Sequence, residues 1–190
     1  MEESLLIQRA SEGDAAAFNT LLGQHERRMY AVALRMCGNH EDAQDCLQEA
    51  MLRVYRAISG FKSQSSFSTW VYRITMNACL DELRKRKNRP NTSLDGLLDG
   101  GFSPTDAGES PDGYAQRQEL RRALLECIRE LPEDMRAAVV LRDVEGYAYE
   151  EIAGMLDANV GTIKSRISRG RERLREKIGA RAELFDRPDV

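Results

Sequence analysis

Histidine is scarce in this 190-residue sequence, aromatic residues make up 6% of it, and only five prolines interrupt it. The two histidines, His25 and His40, have no set of cysteines or acids at ligand spacing beside them, so the usual zinc arrangements are missing. HExxH, a glycine-rich phosphate loop and a nucleophile elbow are also absent, and no metal site, cofactor or catalytic centre is expected. No apolar run approaches the ~18 residues that span a bilayer, and the start, Met1 to Glu3, is acidic rather than the basic opening of an export signal. A cytoplasmic protein is expected. The four cysteines, Cys37, Cys46, Cys79 and Cys127, form no CxxC pair. Three of them fall on apolar positions of helical patterns and read as small buried hydrophobes, with redox sensitivity or a disulfide as alternatives. The acids Glu41, Asp42, Asp45 and Glu49 lack a second group at matching spacing. They read as helix caps and as charged surface for a protein partner rather than as a hydrolase site.

What is present favours an all-α protein with a break in the middle, because Leu, Ala, Arg and Glu dominate and three of the five prolines lie between Pro90 and Pro111. Residues 88–113 hold mostly Gly, Pro, Ser, Asp and Asn, too little apolar surface to offset the entropy of ordering them. They read as a flexible acidic linker between a helical domain at 1–87 and a second at 114–179, with a frayed tail at 180–190. The net charge of −3 argues against nucleic acid until its distribution is considered. Residues 84–89 read RKRKNR, and 164–177 carry seven basic residues against Glu172 and Glu176. Two basic patches flanking an acidic tether can touch phosphates twice in an acidic protein.

In the first domain, Leu5 to Ala10 begin a short helix ending near Gly13. Asp14 suits the cap of a second through Leu22, and a third runs from Met29 to Gly38. Asn39 caps a fourth, whose Ala43, Cys46, Leu47, Ala50, Met51, Val54, Tyr55 and Ile58 share one face until Gly60. After the loop Phe61 to Phe67, Ser68 or Thr69 can cap a helix running to about Lys87. One apolar line there is Trp70, Ile74 and Ala78; another is Tyr72, Met76, Leu80 and Leu83. Between them runs a polar stripe, Arg73, Asn77, Asp81 and Arg84. Phe61 and Phe67 either pin the loop to the core or offer a ring to an unpaired base, and Trp70 or Tyr72 is expected to be structural.

The second domain opens with a helix over Arg117 to Arg129. Pro132 starts another that ends at Gly146, and Tyr147 to Ile178 then gives the strongest signal in the chain. Ile152, Met155 and Leu156 form the buried face of a short helix, Ala153 suits a close crossing, and Asp157-Ala158-Asn159 is a turn. Val160, Ile163, Ile167, Leu174 and Ile178 repeat at helical spacing beyond it. This is a helix-turn-helix, whose second helix enters a DNA major groove. At about 100° per residue, Gly161, Ser165, Ser168, Arg169 and Glu172 face outward, with Thr162 and Lys164 on the flanks. Arg169 can reach phosphate or a guanine edge. Arg166 lies about 60° from the buried centre and suits a phosphate.

These motifs, in this order, make the chain resemble the extracytoplasmic-function sigma factors of bacterial RNA polymerase over nearly its full length. The resemblance rests on Asp42-Ala-Gln-Asp-Cys-Leu-Gln-Glu49 with Val54-Tyr-Arg-Ala57, and on Phe67-Ser-Thr-Trp70 with Tyr72-Arg-Ile74, Asn77 and Asp81-Glu-Leu-Arg84. It continues in Leu131-Pro132, Tyr149-Glu-Glu-Ile-Ala153 and Val160-Gly-Thr-Ile-Lys-Ser-Arg166. The resemblance implies a non-enzymatic initiation factor that binds core polymerase, on the clamp coiled coil of its largest subunit and on the flap, and promoter DNA. It implies polymerase contacts at Asp42, Asp45, Gln48, Glu49, Arg53 and Arg56. It implies −10 recognition and melting at Phe61, Lys62, Ser65, Phe67, Trp70, Tyr72, Arg73, Asn77, Arg84 and Lys85. The −35 element falls to Gly161, Thr162, Lys164, Ser165, Arg166, Arg169 and Arg173. Family members are often held by an anti-sigma factor, and a stress response is the usual setting.

Two departures from the family pattern stand out. Asp157 and Asn159 occupy turn positions where glycine and proline are common, and Gly170 replaces a usual alanine, which is expected to cost about 0.5–1 kcal/mol and loosen the helix end. The competing readings are a conventional operator-binding regulator, which leaves the polar stripe unexplained, and a helical scaffold, which explains neither basic patch.

Overall fold

The computed structural model describes residues 2–87 and 111–180, and every regular element among them is helical. Most of the expected linker and the tail from 181 lie outside the described residues. The chain divides into two compact units, one built from the N-terminal helices and one from the C-terminal helices.

In the first unit α1 (Glu2–Ser11) ends before Gly13, whose φ of +96° turns the chain. Asp14 then caps α2 (Ala15–Cys37), its Oδ1 accepting from the backbone N–H groups of Ala16 and Ala17 at 2.9 and 3.0 Å, which satisfies donors the helix start leaves open. The sequence suggested two helices here, but the chain makes one. Gly23 stays inside α2 on its exposed side, where one weak helix former costs less than the burial of Leu21, Leu22, Met29 and Val32 on both sides of it contributes. α3 (His40–Ala57) closes in a single tight turn, Ile58–Gly60. α4 (Phe67–Lys87) starts earlier than the expected caps, since Ser66 Oγ accepts from Thr69 N at 3.1 Å. α1 and α4 both lie along α2.

The buried face of α4 is broader than two lines. Val71, Thr75 and Cys79 run down its centre, with the Thr75 hydroxyl satisfied by Val71 O at 3.0 Å. Arg73 and Asn77 are exposed on the opposite side.

The second unit begins with α5 (Pro111–Arg129), three residues before the expected start of the domain. Arg136 of α6 (Glu133–Val139) is buried and donates to Leu131 O at 3.0 Å and to Arg129 O. A guanidinium there neutralises the carbonyls at the end of α5. α6 widens into one turn of longer-range bonding, Val140–Val144, with Glu145 N donating to Val140 O at 3.0 Å, and Gly146 at φ +80° ends it. α7 (Tyr149–Met155) and α8 (Val160–Gly179) form the helix-turn-helix. Asp157 takes the left-handed conformation at φ +47° in the turn between them, which a short polar side chain tolerates. Asn159 Oδ1 caps α8 by accepting from Thr162 N at 2.8 Å and from its hydroxyl at 3.0 Å.

Gly170 overturns one expectation. It is buried where α8 crosses α6, and a Cβ there would meet Val139 Cγ2 at 2.6 Å. Glycine is therefore the residue that lets the helices approach, which sets a packing gain against its cost in helix propensity. Gly170→Ala gains about 1 kcal/mol of helix propensity but overpacks a stiff β-branched neighbour, so a net loss of about 1–2 kcal/mol is expected in urea denaturation. Gly154→Ala, with nothing within 4 Å of the added methyl, should instead stabilise by about 0.5–1 kcal/mol. Equal signs for the two would refute the close crossing.

Candidate nucleic-acid interface

Seven cations on α8 divide by what they touch. Arg166 bonds Asp134 at 2.7 Å, Arg171 bonds Asp143 at 3.0 Å through Nε, and Lys177 pairs with Glu130. These three are committed to their own unit, and Asp143 lifts the pKa of Arg171. Lys164 leans over the Tyr149 ring, 6.0 Å from its centroid, and Arg142 lies on the same ring at 4.8 Å. Arg169, Arg173 and Arg175 are exposed, and no other described residue pairs with them. Gly161, Ser165, Arg169 and Arg173 follow one another at i, i+4 down one exposed side. Thr162, Arg166 and the N-terminal end of α6 line a shallow depression beside it. Such a face presents small residues at the entry and unpaired guanidinium groups behind them, as a groove-reading helix requires.

The first unit carries a second basic edge. Arg73 and Asn77 are exposed without a described partner, and Arg84 reaches Asp81 only at 3.8 Å. Asp81 in turn takes a 2.7 Å bond from Arg53, which also bonds Glu49 at 2.8 Å. That bond holds the Glu49 carboxyl below its usual range, while Asp81 and Glu49 raise the pKa of Arg53. Arg53 and Glu49 are thus half-buried and tied across α3 and α4. Lys85 is exposed, 3.7 Å from Glu82.

At the head of α4, Phe61, Phe67 and Trp70 form an aromatic cluster with centroids 5.1–5.7 Å apart. Phe67 and Tyr72 are core residues, only 4% and 2% exposed, so neither can receive a base. Tyr72 OH meets His25 Nδ1 at 3.3 Å. Burial among these rings pushes the His25 pKa down, and Glu3, 3.7 Å away, only partly offsets it. Phe61 and Trp70 remain half-exposed beneath the open loop that carries Lys62 and Ser65.

Among the expected polymerase contacts, Asp45, Gln48 and Arg56 are exposed, whereas Asp42 is not. It is 7% exposed and bonded through both oxygens to Arg86 of α4. Tyr55, expected on the buried face, is 58% exposed, and Leu52 is 49% exposed. With Phe18, Leu22 and Met51 they line an open apolar groove, Phe18 and Tyr55 meeting edge to face at 5.1 Å. The signal available in the sequence was Leu52, an apolar residue off the buried period.

Family models decide the identity. Sigma-70 region 2 matches residues 21–89 and sigma-70 region 4 matches residues 121–174. The chain belongs to the sigma-70 family. Within it, the chain is an extracytoplasmic-function sigma factor, a promoter-recognising initiation factor and not an enzyme. It is 36% identical over 175 residues to the RNA polymerase sigma-H factor of Pseudomonas aeruginosa, covering 90% of this chain and 91% of that one. It is 35% identical over 182 residues to the ECF RNA polymerase sigma-E factor of Escherichia coli, covering 94% and 95%. The fold of this sigma factor matches the sigma factor RpoE of Bartonella quintana, solved with the anti-sigma factor NepR, at a TM-score of 0.66, 23% identity and coverages of 85% and 96%. It also matches CnrH, solved with the cytosolic domain of CnrY, at 0.65, 24% identity and coverages of 95% and 99%. Leu22, Met51, Leu52 and Tyr55 of the apolar groove lie in the region 2 match, with Phe18 just before it, and the exposed arginines of α8 down to Arg173 lie in the region 4 match. Among the described residues no helix is long and apolar enough to cross a membrane.

Proposed function

We propose that α8 reads the −35 element with Gly161, Thr162, Ser165 and Arg169, while Lys164 and Arg173 hold phosphates and Arg166, bonded to Asp134 at 2.7 Å, braces α8 against α6. The observation that carries this is the division of the α8 cations. Three cations brace α8 against its own unit, whereas Arg169 and Arg173 stand exposed in line with Gly161 and Ser165, the small residues at the helix entry.

In the first unit, Arg73, Asn77, Arg84 and Lys85 meet the −10 element, and an unpaired base rests against Phe61 and Trp70 below Lys62 and Ser65. Phe67 and Tyr72 support that floor from inside. Asp45, Gln48 and Arg56 rim a polymerase-docking face centred on Leu52 and Tyr55, against the clamp coiled coil, and the second unit engages the flap. The protein acts where polymerase works, in the cytoplasm. An anti-sigma partner, of the kind with which the Bartonella quintana sigma factor was solved, would compete for these faces.

Polymerase brings two weak readers to one promoter, so the free protein binds duplex DNA poorly and gains specificity as holoenzyme. The test is run-off transcription with core polymerase on promoters carrying an intact or scrambled −35 element. Arg169→Ala should lower transcription from the intact promoter about 5- to 150-fold, the effect of ~1–3 kcal/mol in a base contact. It should change little on a promoter that works without a −35 element, and core affinity should hold. Equal losses on both promoters, or nanomolar specific binding by the free chain, would refute the assignment.

A further inference from the structure

We propose that Cys37, Cys46 and Cys79 form a trithiolate site for a soft d10 metal ion in the core of the N-terminal unit. The three come from α2, α3 and α4, and their sulfurs all lie within 4.8 Å of one another, Cys37 and Cys46 at 3.4 Å. They are 6%, 2% and 0% exposed. Sulfurs sharing one zinc at ~2.3 Å in tetrahedral array would sit about 3.8 Å apart, inside the span seen here. Filling a helical core needs only apolar volume, which leucine, valine or alanine supplies in any combination. It does not need three of the chain's four cysteines, drawn from three helices, to aim their sulfurs at one point.

The chemistry of the set selects the ion. It holds no imidazole and no carboxylate, and thiolates alone favour Cu(I) and Zn(II) over harder cations. The two differ in what else they require. Cu(I) is satisfied by three sulfurs. Zn(II) takes a fourth ligand in nearly all structural sites; the nearby Asp42 is held through both oxygens by Arg86, so a water oxygen would have to complete the set. The ion would tie together the helices that carry the docking groove and the polar stripe. Cys37 is the last residue of α2, followed by Gly38 at φ +82°, so opening of that turn gives an entry path. The spacing of the cysteines, 9 and 33 residues apart, matches no zinc motif, which is why the sequence suggests no metal site.

The test uses the reduced full-length chain made metal-free. One portion is titrated with Co(II) as an optical probe and then with Zn(II); another is titrated anaerobically with Cu(I) against a chromophoric chelator. The expected result is one ion per chain at submicromolar affinity, with thiolate-to-metal charge-transfer absorption and a Tm at least about 5 °C higher when saturated. Binding should persist in Cys127→Ser and fall at least 100-fold in Cys46→Val and Cys79→Val, which keep the core apolar. X-ray absorption separates the ions, with three sulfurs around Cu(I) or three sulfurs and one oxygen around Zn(II). No stoichiometric binding of either ion to the wild-type chain would overturn the proposal, as would equal loss in Cys127→Ser or a Cys37–Cys46 disulfide in protein that takes up no metal. Wild-type titration decides the question even if a valine variant fails to fold.

Discussion

Replacing Asp42 with alanine should lower the stability of the N-terminal unit by about 3 kcal/mol and its Tm by roughly 12–20 °C. Asp42 opens α3 and, at 7% exposure, is held through both oxygens by Arg86 near the end of α4. Burial works against the charge of Arg86, but its bonds to Asp42 and Glu82 more than offset this and raise its pKa. Removing the carboxylate leaves that guanidinium partly buried with only Glu82 beside it among the described residues, at 3.3 Å. Losing one partner of a buried pair costs far more than losing both. Asp42→Leu with Arg86→Met should therefore recover most of what either single change loses. Trp70, the one tryptophan in the chain, lies at the head of α4 and reports this unit by fluorescence during denaturation. Should Asp42→Ala keep the wild-type midpoint and instead weaken polymerase binding, Asp42 is a docking residue and its structural role is refuted.

Asp42 also shows where sequence reading reached its limit. Periodicity, caps and the turn at Asp157 to Asn159 are local, and they located α3, α4 and the helix-turn-helix within a few residues. The outward side of α8 followed from the turning angle alone, and Gly161, Ser165, Ser168, Arg169 and Glu172 are all exposed. What stayed hidden depends on partners distant in sequence. An acid in the first turn of a helix looks like a dipole charge whether or not an arginine 44 residues on reaches it. Gly170 looks like a weak helix position until Val139 is placed against it. Three cysteines on apolar positions look like filler until three helices bring their sulfurs together. The stretch between Leu22 and Met29 shows the same limit, since the two helices expected on either side of it are one, held by burial along the whole of α2.

The polymerase face supplies the second large effect. Leu52→Asp or Tyr55→Ala should weaken binding to core polymerase about 30- to 150-fold, the 2–3 kcal/mol of an interface anchor. Both side chains are about half exposed or more and sit on an apolar groove with Phe18, Leu22 and Met51. An exposed Leu–Tyr pair among charged residues gains most from desolvation by a partner, and an aromatic anchor ringed by polar residues has the composition of a hot spot. Because neither residue belongs to the core, unfolding free energy should change by less than about 1 kcal/mol. Asp45→Ala, Gln48→Ala and Arg56→Ala at the rim should act differently, altering the salt dependence and association rate more than the dissociation rate. Affinity titration with labelled core polymerase at two ionic strengths separates the two classes. If the rim variants lose as much affinity as Leu52→Asp while Leu52→Asp itself binds normally, docking is electrostatic and the groove serves something else. If both central variants bind normally but shift the free chain from dimer to monomer, the groove is a self-association surface rather than the polymerase contact.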